Sequence, residues 1–358
     1  MSSNQTAGSE ALALRPAPQR LWRALIALCA LTLLVGCGSV ASASPTTTST
    51  DGDPINIAQA AAVVRQHFDT LAAAMQTKNA TQAQDLLGEV DAGPALSGER
   101  ALVLRYLENG LTANVDTAQA VGSIYLAHQN HYPASFLALA PSPLVDSSGN
   151  RDYYVAAYEQ KAAGAPWLEV LYSLVGQSSG KLSQVTVGSD GYSVAAPIDQ
   201  AVGSVTPAAL SGAYASYLRD TIAGKPAPAQ PPFAAGANTN QYAQSIQQET
   251  AYYSSVNVDS KPGYAAYDDY GPFSYTGPGG QVFTLFGTQE SYAESTSTGL
   301  CMDQPPQQTW FGQSVPAGSY RSVDLQQVDM VGAALTPNAP INLISFTAAT
   351  TGAQTQPC

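Results

Sequence analysis

The apolar residues of this chain follow a helical spacing and then a strand spacing, and this order occurs twice. In the first half, apolar side chains recur every three or four residues, which is the stripe of an amphipathic helix. The stripe consists of Ile57, Ala61, Val64, Phe68, Leu71 and Met75. A second short helix is predicted at 81–87, and Gly93-Pro94 is expected to end the helical unit. Short apolar runs then predict strands at 124–126, 136–139, 153–158 and 168–174.

The second half repeats the pattern. Thr206-Pro207 reads as a helix N-cap followed by proline at the first helical position. Helices are predicted at 210–222 and 242–253, and strands at 282–286, 320–335 and 341–346. The predicted fold is α+β, with two tandem lobes at 54–200 and 201–358, each of helices packed on a curved antiparallel sheet. Two halves of the same order suggest an internal duplication, although no residue-level repeat supports it.

Composition narrows the class of protein. The chain has 358 residues with a net charge of −12, and only 11% of its residues are charged while 45% are hydrophobic. Such a chain can bury a core and is not a disordered polyelectrolyte. Its 14 Lys and Arg are too few for a phosphate-binding surface, so no nucleic-acid partner is predicted.

The N-terminus has the parts of a bacterial lipoprotein signal. Arg15, Arg20 and Arg23 precede the apolar run 24–35, which is shorter than the ~20 apolar residues that span a bilayer. The run ends in Leu34-Val35-Gly36-Cys37, which resembles the lipobox. We therefore predict a signal peptide at 1–36, lipid on the Cys37 thiol, a flexible tether at 37–53, and attachment to the extracytoplasmic face of the cell membrane. The alternative is an ordinary signal peptide with an incidental cysteine.

Cysteine usage agrees with an extracytoplasmic location. Cys29 lies in the signal and Cys37 takes the lipid, which leaves Cys301 and Cys358. Two cysteines outside the cytoplasm are expected to form a disulfide, and two free thiols are the alternative. A metal site would need two further ligands.

Several short motifs along the mature chain carry a family resemblance. They are Tyr132-Pro133-Ala134-Ser135-Phe136, Pro166-Trp167-Leu168, Gly191-Tyr192, Gly279-Gly280-Gln281-Val282-Phe283 and Val315-Pro316-Ala317-Gly318-Ser319-Tyr320. In this order they resemble actinobacterial lipoproteins with an uncharacterised extracytoplasmic domain. That resemblance implies no assigned activity. By analogy, helices before a curved sheet resemble nuclear-transport-factor-like or cystatin-like folds.

No catalytic constellation is predicted. Ser178 lies in a G-x-S-x-G match, but no histidine follows it and its flanks read as strand rather than strand-turn-helix. His128 and His131 lack the spacing of a zinc-binding helix, and His67 is predicted to be a helix-face residue. We predict no metal, no cofactor and no enzymatic activity.

The strongest candidate for ligand binding is the tyrosine-rich stretch 264–280. Its candidate residues are Tyr264, Tyr267, Asp268, Asp269 and Tyr270. Aromatic faces beside carboxylates suit a sugar or a cationic ligand. The alternative is a tyrosine-rich strand pair with exposed acids.

Three functional hypotheses remain open from the sequence. The first is a non-catalytic binding module for an envelope component, such as a glycan, or for a protein partner. The second is an envelope glycan hydrolase with Asp268 or Asp269 as general acid or base. The third is structural support within a membrane-associated complex.

Overall fold

The structure is a computed structural model that describes residues 52–108, 122–145, 151–175, 182–296, 300–304 and 318–358. The predicted signal peptide, Cys37 and Ser178 lie outside the described residues. In the described part, the α-helices are α1 (Ile57–Gln76), α2 (Ala80–Leu87), α3 (Gly93–Glu108), α4 (Leu210–Ile222) and α5 (Tyr242–Ser255). The strands are β1 (Ser123–Tyr125), β2 (Ala134–Val145), β3 (Arg151–Gln160), β4 (Leu168–Val175), β5 (Val258–Ala266), β6 (Phe273–Thr276), β7 (Val282–Thr296), β8 (Met302–Gln304), β9 (Gly318–Leu335) and β10 (Asn342–Pro357).

The strands form two antiparallel sheets. The first sheet has the order β1-β2-β3-β4, and the second has the order β10-β9-β7-β5, with β6 paired to β7 and β8 paired to β9. Helices α1 to α3 precede the strands of the first sheet, and helices α4 and α5 precede those of the second. The predicted α+β class, with helices packed on antiparallel sheets, is confirmed.

Two of the helix starts follow from local hydrogen bonds. Asn56 accepts a hydrogen bond from the backbone of Gln59, whose side chain accepts one from the Asn56 backbone, so α1 begins with a capping box. Thr206 Oγ1 accepts from the Ala209 backbone 3.1 Å away, at a short 3₁₀ turn that runs into α4. The predicted Thr206 cap is confirmed.

Two local predictions were wrong. Gly93-Pro94 does not end the helical unit but begins α3, because proline lacks only a donor that the first helical turn does not use. Gly93 takes a φ of +56°, which glycine adopts without steric cost. Residues 182–187, expected to continue a strand, form turns instead. Their Thr186 backbone donates to Thr276 of β6.

The two sheets pack face to face between the two sets of helices. Along β2, Phe136, Ala138 and Ala140 join the core under α1. Leu137 and Leu139, on the opposite face of the same strand, join a core shared with the second sheet. That shared core is a set of apolar side chains from both halves, including Val155, Leu171, Phe273, Phe283, Leu285, Val328 and Met330. Helix α1 therefore covers the outer face of the first sheet, whereas α3 packs against both sheets, at β4 and β10.

A third core closes the outer face of the second sheet. Leu210, Tyr214 and Leu218 of α4 pack there against Phe286 and Val331. The chain thus contains two helix-on-sheet units, as predicted, and their sheets cover each other. The predicted boundary between 200 and 201 stays a prediction. None of the helices in the described part of the chain is both long and apolar enough to cross a membrane.

Candidate functional site

The predicted ligand residues of the tyrosine-rich stretch do not come together in one site. Tyr264 is buried in β5, and its hydroxyl donates to Glu290. The backbone N–H of Tyr267 donates to Ser211 Oγ of α4 at 2.8 Å. Asp268 and Asp269 are exposed at the surface. Packing and a backbone hydrogen bond therefore account for the two tyrosines.

Tyr270, the last of these residues, contacts the other half of the chain. Its ring lies directly over Gly93 at the start of α3, where a Cβ atom would collide with it. Lys161 Nζ lies 4.9 Å from the centre of the same ring, within the range of a cation–π contact. Tyr270 thus holds the two halves together.

The predicted disulfide is confirmed. Cys301 and Cys358 are bonded, with their Cα atoms 6.2 Å apart and a sequence separation of 57. The backbone of Cys358 also donates to the Ser319 carbonyl in β9 at 3.0 Å. Both contacts hold the C-terminus against the sheet.

A cluster of buried titratable groups lies under α1. His67 is 1% exposed, and three buried carboxylates surround its ring. His67 Nε2 lies 3.1 Å from Asp91 Oδ1 and 3.2 Å from Glu99 Oε2. On the other side of the ring, Nδ1 lies 3.4 Å from Glu169 Oε2 and 3.2 Å from the Tyr158 hydroxyl. We call His67, Asp91, Glu99 and Glu169 the His67 cluster.

Four different elements bring the cluster together. His67 belongs to the inward face of α1, one residue before the core residue Phe68. Glu99 faces it from α3. The segment that carries Asp91 is joined to the start of β4, because Glu169 N donates to Val90 O and Ala92 N donates to Glu169 O, both at 2.8 Å. These two bonds fix Asp91 and Glu169 on either side of the imidazole.

The cluster contains more acid than base. His67 is the one basic side chain that pairs with these carboxylates in the described part of the chain. Burial lowers the pKa of His67, but the charges of Glu169, Glu99 and Asp91 outweigh it and raise that pKa well above its ordinary value.

Burial and neighbouring charges also shift the pKa values of the carboxyl groups. Burial, with the neighbouring Glu99, raises the pKa of Asp91 well above its ordinary value, although His67 opposes this. Burial raises the pKa of Glu169 to about 7, again against the effect of His67. One imidazole does not compensate three buried carboxylates, so in this arrangement the cluster retains protons near neutral pH.

Hydrogen bonding leaves Asp91 incompletely satisfied. Nε2 makes its hydrogen bond with Glu99, so the close contact with Asp91 Oδ1 is an ion pair without an aligned hydrogen bond. Asp91 Oδ2 has no hydrogen-bond donor among the residues that the structure describes, and Asp91 is 2% exposed. Such a buried acceptor ordinarily costs ~1–3 kcal/mol.

Another buried carboxylate, Glu290 of β7, is satisfied in a different way. Three phenolic hydroxyls donate to it, from Tyr242 at 2.8 Å, Tyr264 at 2.5 Å and Tyr292 at 2.5 Å. Tyr264, which the sequence suggested as a ligand-binding residue, is thus part of a structural hydrogen-bond network. Glu290 thus has the hydrogen-bond donors that Asp91 Oδ2 lacks among the described residues.

A cavity of about 230 Å³ opens beside the His67 cluster. His67 and Tyr158 contribute to its wall, and the indole of Trp167 covers part of it. The remaining lining residues are Val63, Gln66, Glu89, Val90, Ala165 and Pro166. The cavity is thus lined by aromatic and apolar side chains together with the titratable side chain of His67.

No motif in the sequence predicts this site. His67 was predicted as a helix-face residue, and the structure shows it buried among acids instead. Its position beside the apolar stripe of α1 was the one available signal. No family model, no curated protein and no solved structure matches the chain, so the proposals below depend on this geometry.

Proposed function

We propose that this protein is a lipid-anchored extracytoplasmic binding module whose ligand enters the cavity beside His67. The observation that carries the proposal is the cavity itself, about 230 Å³ in volume, with an aromatic wall and a buried charged floor. Binding sites commonly combine apolar walls with a few convergent polar groups. The activity that we propose is binding without catalysis.

The size and lining of the cavity define the class of ligand. Its volume is below the ~300–1,000 Å³ of drug-sized pockets, so it suits a single sugar unit or a group of similar size. Trp167 offers a face on which a sugar ring can stack, and Gln66 and Glu89 supply hydrogen-bonding side chains. We therefore propose the end unit of an envelope glycan as the ligand.

The exposed positions of Asp268 and Asp269 favour binding over hydrolysis at those residues. A carboxyl group that acts as a general acid is usually kept protonated by burial, and neither aspartate is buried. A hydrolase remains an outcome that the binding experiment can reveal through cleavage of the probe.

Calorimetric titration with N,N′-diacetylchitobiose tests the proposal. Ala165 lines the cavity, whereas Ala163 is exposed two residues earlier in the same turn. We expect the wild-type protein to bind the disaccharide, Ala165→Leu to weaken binding at least tenfold by filling the cavity, and Ala163→Leu to bind normally. Absence of binding by the wild-type protein, or equal binding by Ala165→Leu, would overturn the glycan proposal. Cleaved probe in the recovered sample would replace binding with hydrolysis.

The anchor is tested separately from the cavity. We expect radiolabelled palmitate to be incorporated into the wild-type protein and into Cys29→Ala, because Cys29 lies within the predicted signal peptide. Cys37→Ala should carry no label, since its thiol is the predicted acceptor. Label that persists in Cys37→Ala would contradict the lipoprotein assignment and leave the cavity proposal unaffected.

A further inference from the structure

We propose that His67, Asp91 and Glu99 bind a divalent transition-metal ion, with Glu169 orienting the histidine from behind. This inference does not depend on glycan binding in the adjacent cavity. It starts from the positions of the three ligand groups. One imidazole nitrogen and one oxygen from each carboxylate all lie within 4.8 Å of one another.

The spacing of the ligand atoms suits a small metal ion. Zn²⁺ binds nitrogen and oxygen ligands at ~2.0–2.2 Å in a tetrahedron, which places neighbouring ligand atoms ~3.3 Å apart. His67 Nε2 lies 3.1 Å from Asp91 Oδ1 and 3.2 Å from Glu99 Oε2. The Asp91 and Glu99 oxygens lie within 4.8 Å of each other, so an ion that binds all three groups draws these two carboxylates together.

The far side of the imidazole has the environment of a metal-bound histidine. Metal-binding histidines usually donate their second ring N–H to a carboxylate, which fixes the tautomer and the ring orientation. Nδ1 of His67 makes a hydrogen bond with the Tyr158 hydroxyl at 3.2 Å, and the Glu169 carboxylate lies behind it, with Oε2 3.4 Å from Nδ1 in an ion-pair contact. A proton on Nδ1 directs the lone pair of Nε2 toward Asp91 and Glu99.

A divalent cation also balances two of the three carboxylate charges in the cluster. In that tautomer the imidazole is neutral, and the Asp91 and Glu99 carboxylates balance two positive charges. Asp91 Oδ2, buried and without a donor in the described residues, can then become a second oxygen ligand or accept a hydrogen bond from a metal-bound water. Glu290, by contrast, has three hydroxyl donors and needs no cation.

The ligand set indicates which metal to expect. A nitrogen ligand together with carboxylates suits Zn²⁺ and its first-row neighbours, whereas Ca²⁺ and Mg²⁺ prefer oxygen ligands alone. His67 borders the cavity, which supplies a route from solvent to the buried ligands. Three protein ligands leave one tetrahedral position for water.

Titration of the chelator-treated full-length protein with ZnCl₂ tests the site. Calorimetry should show one Zn²⁺ per chain, and neither Ca²⁺ nor Mg²⁺ should bind at the same concentration. Glu99→Gln should weaken Zn²⁺ binding at least tenfold and lose the rise in melting temperature that Zn²⁺ causes in the wild-type protein. Because this substitution removes an excess buried charge, we expect the metal-free variant to remain folded. Asp91→Asn provides the same test if it does not.

Two control variants distinguish this site from other acidic groups. Glu290→Gln changes a buried carboxylate outside the site, and His128→Asn removes an exposed histidine that contacts Asp53 and Asp190. Both should retain wild-type Zn²⁺ affinity. Absence of stoichiometric binding, or loss of binding only in His128→Asn, would overturn the metal proposal. Zn²⁺ binding without binding of the disaccharide would leave the metal site intact and remove only the glycan proposal.

Discussion

His128 connects the start of the folded chain to the edge of the first sheet. Its Nδ1 lies 2.7 Å from Asp53 Oδ2, and the ring stacks on Tyr192 with 3.9 Å between centres. The other oxygen of Asp53 accepts the backbone N–H of Gln129 at 2.9 Å. One carboxylate therefore fixes the point at which the predicted tether joins the folded domain.

The charge state of His128 should depend on Asp53. The hydrogen bond to Asp53, assisted by Asp190, raises the pKa of His128 above its ordinary value. A raised folded-state pKa contributes stability that is fully present below the unfolded value of ~6.5 and is lost as pH rises through the folded value. An NMR titration of the His128 ring should therefore give a lower pKa in Asp53→Asn than in the wild-type protein.

A surface aspartate elsewhere provides the control for this titration. Asp259 pairs with Lys261 on β5, so Asp259→Asn should leave the His128 pKa unchanged. Equal His128 values in Asp53→Asn and the wild-type protein would show that Asp53 does not hold the imidazolium.

Sequence alone could identify a residue's role only where that role does not depend on the tertiary structure. Cys301 and Cys358 are the two cysteines outside the predicted signal peptide and lipobox, so their pairing followed from counting. The His67 cluster could not be found in that way. His67 and Glu99 are 32 residues apart, and Glu169 comes from β4, the last strand of the first sheet. No spacing pattern in the sequence predicts that residues so far apart come into contact.

At the scale of elements, Gly98 sets the distance between α3 and β4. A Cβ atom at Gly98 would lie 2.5 Å from the Tyr172 hydroxyl, so the helix can approach the strand only at a glycine. We expect Gly98→Ala to destabilise the protein by ~1–3 kcal/mol, as overpacking does, despite the better helix propensity of alanine. Glu99, the next residue, would move with the helix, so Zn²⁺ affinity should fall as well.

Gly212 of α4 provides a matched control within another helix. A Cβ atom there meets only Ala266 Cβ at 3.9 Å, an ordinary contact. Gly212→Ala should therefore stabilise the protein by ~0.5–1 kcal/mol through helix propensity alone. Urea unfolding of both variants measures the difference, and a stabilising Gly98→Ala would show that α3 does not need this close approach.

The predicted lengths of the elements were less accurate than their types. Residues 282–286 were predicted as a strand, whereas β7 continues to Thr296, and β10 extends from Asn342 to Pro357 rather than ending at 346. The added segments are largely polar, so hydrophobic patterning could not detect them. They are strands because backbone pairing with β9 continues along both of its sides.

At the scale of the whole molecule, the sequence predicted two lobes but not how they meet. Apolar residues on both faces of β2 and β3 showed only that these strands are buried. In the structure, the inner faces of the two sheets form a common core, and polar contacts support it. Ser173 Oγ of β4 donates to the Met330 carbonyl of β9 at 2.9 Å, and the Leu174 backbone donates to Thr347 Oγ1 of β10 at 3.0 Å.

A common core predicts that the two halves unfold together. Separation of the halves would expose apolar side chains of the common core, among them Leu137, Leu139, Phe283 and Leu285. Each is expensive to expose, because burying a side chain of this size contributes ~1.5–3 kcal/mol. We expect differential scanning calorimetry to show one transition whose calorimetric and van't Hoff enthalpies agree. Met330→Ala, in the common core, should lower stability by ~2–5 kcal/mol and keep a single transition.

Leu218→Ala distinguishes a shared transition from two overlapping ones. Leu218 lies in the core between α4 and the second sheet, outside the common core. If the molecule is one cooperative unit, Leu218→Ala also moves the whole transition to lower temperature. If the halves unfold independently, Leu218→Ala lowers the unfolding temperature of the C-terminal half alone. The N-terminal half then unfolds in a separate transition at its wild-type temperature. The second result would mean that the His67 cluster belongs to a half that folds alone. In the first result, contacts such as Tyr270 on Gly93 help to hold the α3 side of the cluster in place.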